Sequence, residues 1–82
     1  MSDVPEAAPI SLDLTGLKCP LPALRTRKAL RALLPGARLA VTATDPLAAI
    51  DIPNAAREEG ARLEFQTRDG AVTRFVLRAA SD

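Results

Sequence analysis

The single cysteine, Cys19, is the residue of this 82-residue chain with the clearest capacity for chemistry. It precedes Pro20 and Pro22, and proline is favoured in the first turn of a helix, where its missing N–H has no intrahelical partner. A helix is therefore predicted to begin at Cys19 or directly after it. The pKa of a thiol falls at a helix N-terminus and beside cations, and the thiolate is the nucleophile. We expect both influences at Cys19, because four cations lie close in sequence: Lys18, Arg25, Arg27 and Lys28.

A buried cysteine that serves only as a small apolar side chain is the alternative. The position of Cys19 between a loop and a helix start disfavours it. The chain has no histidine, so a Cys/His zinc site and a Cys–His nucleophilic pair are both excluded within one chain. We predict neither a metal nor a bound cofactor.

The cysteine count and the hydropathy pattern also bear on location. One cysteine allows no disulfide within the chain, which fits a reducing compartment. No apolar run is long enough to span a membrane, and the first ten residues lack the basic start and apolar block of a signal peptide. The prediction is a cytoplasmic protein.

Strand and helix patterns alternate along the chain. Period-two alternation and helical spacing predict strands over residues 10–14, 38–44, 61–68 and 72–77, and helices over residues 20–34 and 52–59. Asp51 is predicted to cap the second helix, and Asp45-Pro46 marks a turn before it. Asp69-Gly70 predicts a hairpin between the last two strands.

The order β-α-β-α-β-β predicts an α/β (α+β) fold. This is a two-layer sandwich in which two helices cover one face of a four-stranded mixed sheet. Residues 10–79 form one domain, with a disordered arm over residues 1–9 and a frayed tail over residues 80–82. Phe65 and Phe75, the only aromatic residues, are expected in the core. The first helix is expected to contribute Ala23, Leu30, Leu33 and Leu34 to it. The open face of the sheet is expected to carry Arg62, Glu64, Gln66 and Arg68.

The segment Gly16-Leu17-Lys18-Cys19-Pro20-Leu21-Pro22 resembles the Cys-Pro-x-Pro signature of the TusA/SirA-like sulfur-carrier family. The elements Asp45-Pro46 and Asp51-Ile52-Pro53 also fall where that family has similar residues, and the resemblance covers about residues 11–79. It implies the same two-layer fold and a sulfurtransferase that carries sulfane sulfur as a covalent persulfide on Cys19. The implied partners are a cysteine desulfurase or rhodanese-like donor and an acceptor protein. In this family the sulfur goes to tRNA thiolation, molybdenum cofactor assembly or sulfur oxidation.

The residues themselves suit a carrier. A second thiol nearby would attack a persulfide and discharge it as a disulfide, and this chain has none. A persulfide is anionic at neutral pH, so a positive helix end is expected to hold it. The loop and helix start are expected to support the sulfur through Gly16, Lys18, Pro20 and Pro22.

No acidic residue occurs between Asp13 and Asp45, whereas six basic residues lie in this interval. One interpretation is a solvated helix face; the other is a patch that docks acidic partner surfaces, formed by Arg25, Arg27, Lys28 and Arg31. Direct binding of nucleic acid is not expected, since the net charge is only +1 and no aromatic residue lies among the cations. We expect a monomer.

Two other functions are compatible with the sequence. One is a regulatory, partner-binding module that acts through the basic first helix; it predicts that Cys19→Ser keeps function. The other is a single-cysteine redox sensor, which predicts peroxide-dependent oxidation of Cys19 without uptake of sulfur.

Overall fold

The computed structural model describes residues 9–80, so the predicted N-terminal arm, apart from its last residue, and most of the predicted tail lie outside it. Six elements follow the expected order. They are β1 (Ile10–Leu14), α1 (Leu21–Ala32), β2 (Arg38–Ala43), α2 (Ala48–Glu58), β3 (Arg62–Asp69) and β4 (Val72–Arg78).

The strands form one mixed sheet in the order β1-β2-β4-β3. β1 and β2 are parallel, and the other two pairings are antiparallel. α1 contacts β1 and β2, α2 contacts β3 and β4, and the helices pack against each other. The α/β two-layer prediction is therefore confirmed. Because β1 and β2 are parallel and each leads into a helix, α1 and α2 begin at the same edge of the sheet.

The core lies between the sheet and the helices. Alternate residues of β2 and β4 are buried, as a sheet covered on one face requires. Phe75 is the largest fully buried side chain, and Ile52 enters the same core from α2. Burial of these apolar surfaces supplies the main driving force for folding.

The buried stripe of α1 differs from the prediction. It consists of Pro22, Thr26 and Leu30, which are four residues apart, with Leu33 only partly buried against the core. Leu34 is 78% exposed, so its predicted place in the core is wrong. The reason is that the helix ends at Ala32 and Leu33 has extended backbone, which turns the following residue away from the helical face.

α2 begins at Ala48 rather than near Ile52. The turn at Asp45 starts the helix, since the carbonyl of Asp45 accepts the N–H of Ala48 at 3.0 Å. The predicted capping role of Asp51 is therefore wrong: Asp51 lies in the first turn, and Leu47 occupies the N-cap position without a side-chain hydrogen bond. Pro53 lies inside the helix.

An irregularity in β3 moves Phe65 out of the core. Leu63 pairs with Leu77 but Phe65 pairs with Val76, so one extra residue, Glu64, stands between the paired positions. A bulge of this kind reverses the alternation beyond it. Phe65 is consequently 55% exposed on the open face of the sheet. Gln66 and Arg68, predicted on that face, pair instead with the buried residues of β4.

Glu64 explains why the bulge is stable. Its two carboxylate oxygens accept hydrogen bonds from Nε of Arg38 at 2.9 Å and from Nε of Arg78 at 2.8 Å. These contacts hold the pKa of Glu64 below its usual value, the hydrogen bond from Arg78 being the largest cause.

Thr26 offers a direct test of the α1 packing. Its hydroxyl oxygen is fully buried and has no hydrogen-bond partner among residues 9–80. Thr26→Val keeps the shape and removes the unpaired polar group, so we expect the free energy of unfolding to rise by about 1 kcal/mol. Urea unfolding followed by circular dichroism measures this change. The exposed Thr67→Val is the control, and a loss of stability in Thr26→Val would mean that the hydroxyl has a partner.

Candidate functional site

The loop between β1 and α1 is fixed to the end of β2. Asp13 Oδ1 accepts the backbone N–H of Thr15 at 3.0 Å and its hydroxyl at 2.5 Å. The N–H of Gly16 donates to Thr44 Oγ1 at 2.9 Å. Gly16 has φ of +84°, a conformation that side chains disfavour, which explains glycine here. The loop thus presents Cys19 at the edge where both helices begin.

Cys19 is exposed and contacts two carboxylates from the β2–α2 region. Its backbone N–H donates to Asp45 Oδ2 at 2.9 Å. Its thiol donates to Asp51 Oδ2 at 3.4 Å, a usual length for a hydrogen bond to or from sulfur. Asp45 therefore holds the backbone of Cys19, and Asp51 contacts the sulfur.

The electrostatics of Cys19 are opposite to the expectation from sequence. The pKa of its thiol is raised, first by the hydrogen bond to Asp51, then by desolvation and by the negative charges of Asp51 and Asp45. The predicted lowering is wrong because Asp51 contacts the thiol and Asp45 contacts the backbone N–H of Cys19. These surroundings favour the protonated thiol of Cys19 over the thiolate.

The residues predicted to support the loop have different roles. Pro20 occupies the N-cap of α1, and the Cys19–Pro20 peptide is cis. Pro22 is fully buried and packs in the core. The carbonyl of Lys18 accepts the N–H of Leu21 at 2.8 Å. An open cleft of about 370 Å³ lies beside the loop, lined by Gly16, Leu17, Lys18, Thr44, Asp45 and Pro46.

The four cations of the predicted docking patch fall into two pairs. Arg27 forms ion pairs with Glu58 and Glu59 of α2, and Arg31 donates to both oxygens of Glu59 at 2.9 and 2.7 Å. These two arginines thus join the helices. Arg25 and Lys28 are exposed and form no ion pair within residues 9–80.

Four large apolar side chains are exposed at the edge of the sheet where both helices begin, and sequence analysis did not single them out. They lie at the starts of α1 and α2, the same edge that carries Cys19: Leu21, Leu24, Leu47 and Ile50. The sequence feature that could have identified them is the predicted strand-helix-strand order, since parallel β1 and β2 place the starts of both helices at one edge of the sheet.

Two absences concern only the part of the chain that the structure describes. There, no three His, Cys, Asp or Glu side chains are grouped so as to hold a metal ion. Neither of its helices is long and apolar enough to cross a membrane.

Known proteins resemble this chain in sequence. The family model described as sulfurtransferase TusA matches residues 10–79. The sulfur carrier protein TusA of Allochromatium vinosum is 39% identical over 67 residues, which cover 82% of this chain and 88% of that protein. A putative sulfur carrier protein of Neisseria meningitidis is 45% identical over 67 residues, covering 80% and 90% of the two chains.

A solved structure has a similar fold. The SirA-like protein of Desulfitobacterium hafniense superposes with a TM-score of 0.74 at 26% identity, covering 87% of this chain and 97% of that one. The sequence that surrounds the exposed cysteine matches the family model over residues 10–79, and the fold matches the solved structure over 87% of the chain. This chain belongs to the TusA sulfurtransferase family of sulfur carrier proteins.

Proposed function

We propose that this protein accepts sulfane sulfur as a persulfide on Cys19 and delivers it to an acceptor protein. The observation that carries the proposal is the position of Cys19. It is the only cysteine, it is exposed, and it stands on a loop tied down by Asp13, Thr44 and Asp45. The partners are a desulfurase or rhodanese-like donor and an acceptor in tRNA thiolation, molybdenum cofactor assembly or sulfur oxidation.

The transfer conserves atoms and electrons. The Cys19 thiolate attacks the outer sulfur of the donor's persulfide, a new S–S bond forms, and the donor's S–S bond breaks. The donor cysteine leaves as a thiolate and takes up the proton that Cys19 gave to solvent. Delivery repeats the exchange, with the acceptor's nucleophile attacking the outer sulfur and Cys19 leaving.

The raised pKa of Cys19 does not separate a carrier from a redox sensor, because both react through the thiolate; uptake of sulfur without peroxide separates them. The partner-binding alternative is not affected by this observation. It is separated from a carrier by whether sulfur is taken up.

The test is the intact mass of the protein after incubation with a cysteine desulfurase and cysteine, and with a rhodanese and thiosulfate. We expect a gain of one sulfur atom per chain, reversed by a thiol reductant. A protein that gains no sulfur from either donor would contradict the proposal.

Arg25 and Lys28 are proposed to dock acidic partner surfaces. We expect Arg25→Glu combined with Lys28→Glu to slow sulfur loading by about tenfold at low salt, since charged patches chiefly accelerate association. The difference is expected to shrink at high salt, where screening is strong. The rate of loading at two salt concentrations measures this.

The matched control reverses the charge of two other exposed side chains, Arg57 and Arg62. Arg57 lies near the end of α2 and Arg62 at the start of β3, both away from the edge of the sheet that carries Cys19. This variant has the same change in net charge. Equal slowing in both double variants would show that net charge, and not a patch on α1, governs loading.

A further inference from the structure

We propose that Asp51 is a positioning residue that holds the sulfur of Cys19 as a thiol in the free carrier. The partner then releases the thiolate by placing a cationic side chain beside this carboxylate. The inference rests on the proposed carrier function, and it assigns to Asp51 a role in the transfer rather than in capping a helix.

The geometry separates the tasks of the two carboxylates. Both oxygens of Asp45 face backbone N–H groups, Oδ2 that of Cys19 at 2.9 Å and Oδ1 that of Leu47 at 3.4 Å. Asp51 is held in the first turn of α2 and half-buried, and its Oδ2 lies 3.4 Å from the sulfur. Asp45 therefore fixes where the backbone of Cys19 stands, and Asp51 is placed to act on its sulfur.

The charges that face Cys19 are negative. Asp51 of α2 and Asp45 of the preceding loop both raise the pKa of the thiol, although the cation Lys18 is next to Cys19 in the chain. Neither carboxylate forms an ion pair within residues 9–80. A cation supplied by a partner would therefore meet Asp51 without a competing ion pair from these residues.

This arrangement restricts the reactivity of the carrier. A thiol attacks electrophiles and oxidants far more slowly than a thiolate, so the free carrier is protected from adventitious alkylation and oxidation. Sulfur transfer needs the thiolate, and a cation beside Asp51 would offset the carboxylate charge and lower the thiol pKa. Transfer is then confined to complexes that supply this cation.

The surroundings indicate what kind of surface the partner presents. The acidic centre formed by Asp45 and Asp51 lies at the same edge of the sheet as four exposed apolar side chains, Leu21, Leu24, Leu47 and Ile50. The complementary partner is a sulfur-exchanging protein whose active-site opening has an apolar rim and a Lys or Arg side chain near its own reactive sulfur. The sulfur, the carboxylates and the apolar rim would be covered together.

The first arm of the experiment measures alkylation of the free carrier by iodoacetamide as a function of pH, in the wild type and in Asp51→Asn. Removing the charge is expected to shift the pH profile to lower pH and to raise the rate at pH 7 several-fold, since each unit of thiol pKa changes the thiolate fraction about tenfold. Asp69→Asn is the matched control. It makes the same change at an exposed carboxylate that is not among the groups acting on Cys19.

The second arm measures sulfur loading from the donor protein. Asp51→Asn is expected to load more slowly than the wild type although its thiol is more reactive, because the carboxylate that attracts the partner's cation is gone. Faster alkylation with slower loading supports the inference. An unchanged alkylation profile, or loading that rises in step with alkylation, would overturn it. A wild-type protein that takes up no sulfur would instead overturn the proposed function, and the alkylation arm still decides the role of Asp51.

Discussion

Cys19→Ser is expected to take up no sulfur from any donor and to deliver none, while its thermal unfolding stays close to that of the wild type. A serine hydroxyl cannot form the S–S bond on which the transfer depends, and no other cysteine can replace it. The loss is therefore expected to be complete rather than graded. Because Cys19 is exposed, the change in the free energy of unfolding is expected to stay within about 0.5 kcal/mol.

The measurements are intact mass after incubation with the donor and thermal unfolding by circular dichroism. Cys19→Ala serves as a second variant, because it also removes the donor to Asp51 whereas serine keeps a hydroxyl there. Both variants should fail equally to load. A cellular function that survives Cys19→Ser but not the reversal of Arg25 and Lys28 would favour the partner-binding module.

The reactive residue of the site was predictable from sequence, but its electrostatics were not. Cys19 is marked by its uniqueness and by the two prolines that start a helix. Asp51 and Asp45 lie 32 and 26 residues away in the chain, and each had a local explanation in the sequence, a cap for Asp51 and a turn for Asp45. Only the parallel pairing of β1 and β2 brings them to the sulfur. There the hydrogen bond to Asp51, desolvation and the two negative charges raise the pKa of the thiol, opposite to the expected shift.

The faces of a strand were predictable from sequence wherever the period-two alternation continues along the whole strand. Buried and less buried residues alternate without interruption in β2 and β4, and both strands lie in the middle of the sheet. β3 also alternates in sequence, yet the bulge at Glu64 reverses its faces. A bulge depends on contacts with distant side chains, here Arg38 and Arg78, and period-two analysis of one strand does not include them.

Substitution of the two phenylalanines tests the difference between the regular strand β4 and the bulged strand β3. Phe75 is fully buried in the centre of the core, and Phe75→Ala is expected to lower the free energy of unfolding by about 3–5 kcal/mol through lost burial and the cavity that remains. Small domains have total stabilities near the low end of roughly 5–15 kcal/mol, so this variant is expected to be largely unfolded or close to its midpoint at room temperature.

Phe65→Ala makes the same chemical change in the neighbouring strand. Phe65 is 55% exposed on the uncovered face of the sheet, so we expect a loss of no more than about 1 kcal/mol, from its contact with Val76 and from strand propensity. Urea unfolding of both variants, fitted with a common slope, gives the comparison. Similar losses would mean that β3 keeps its alternation through Glu64 and that Phe65 packs in the core. A large loss in Phe75→Ala alone would establish that the bulge, and with it the exposed face of β3, exists in solution.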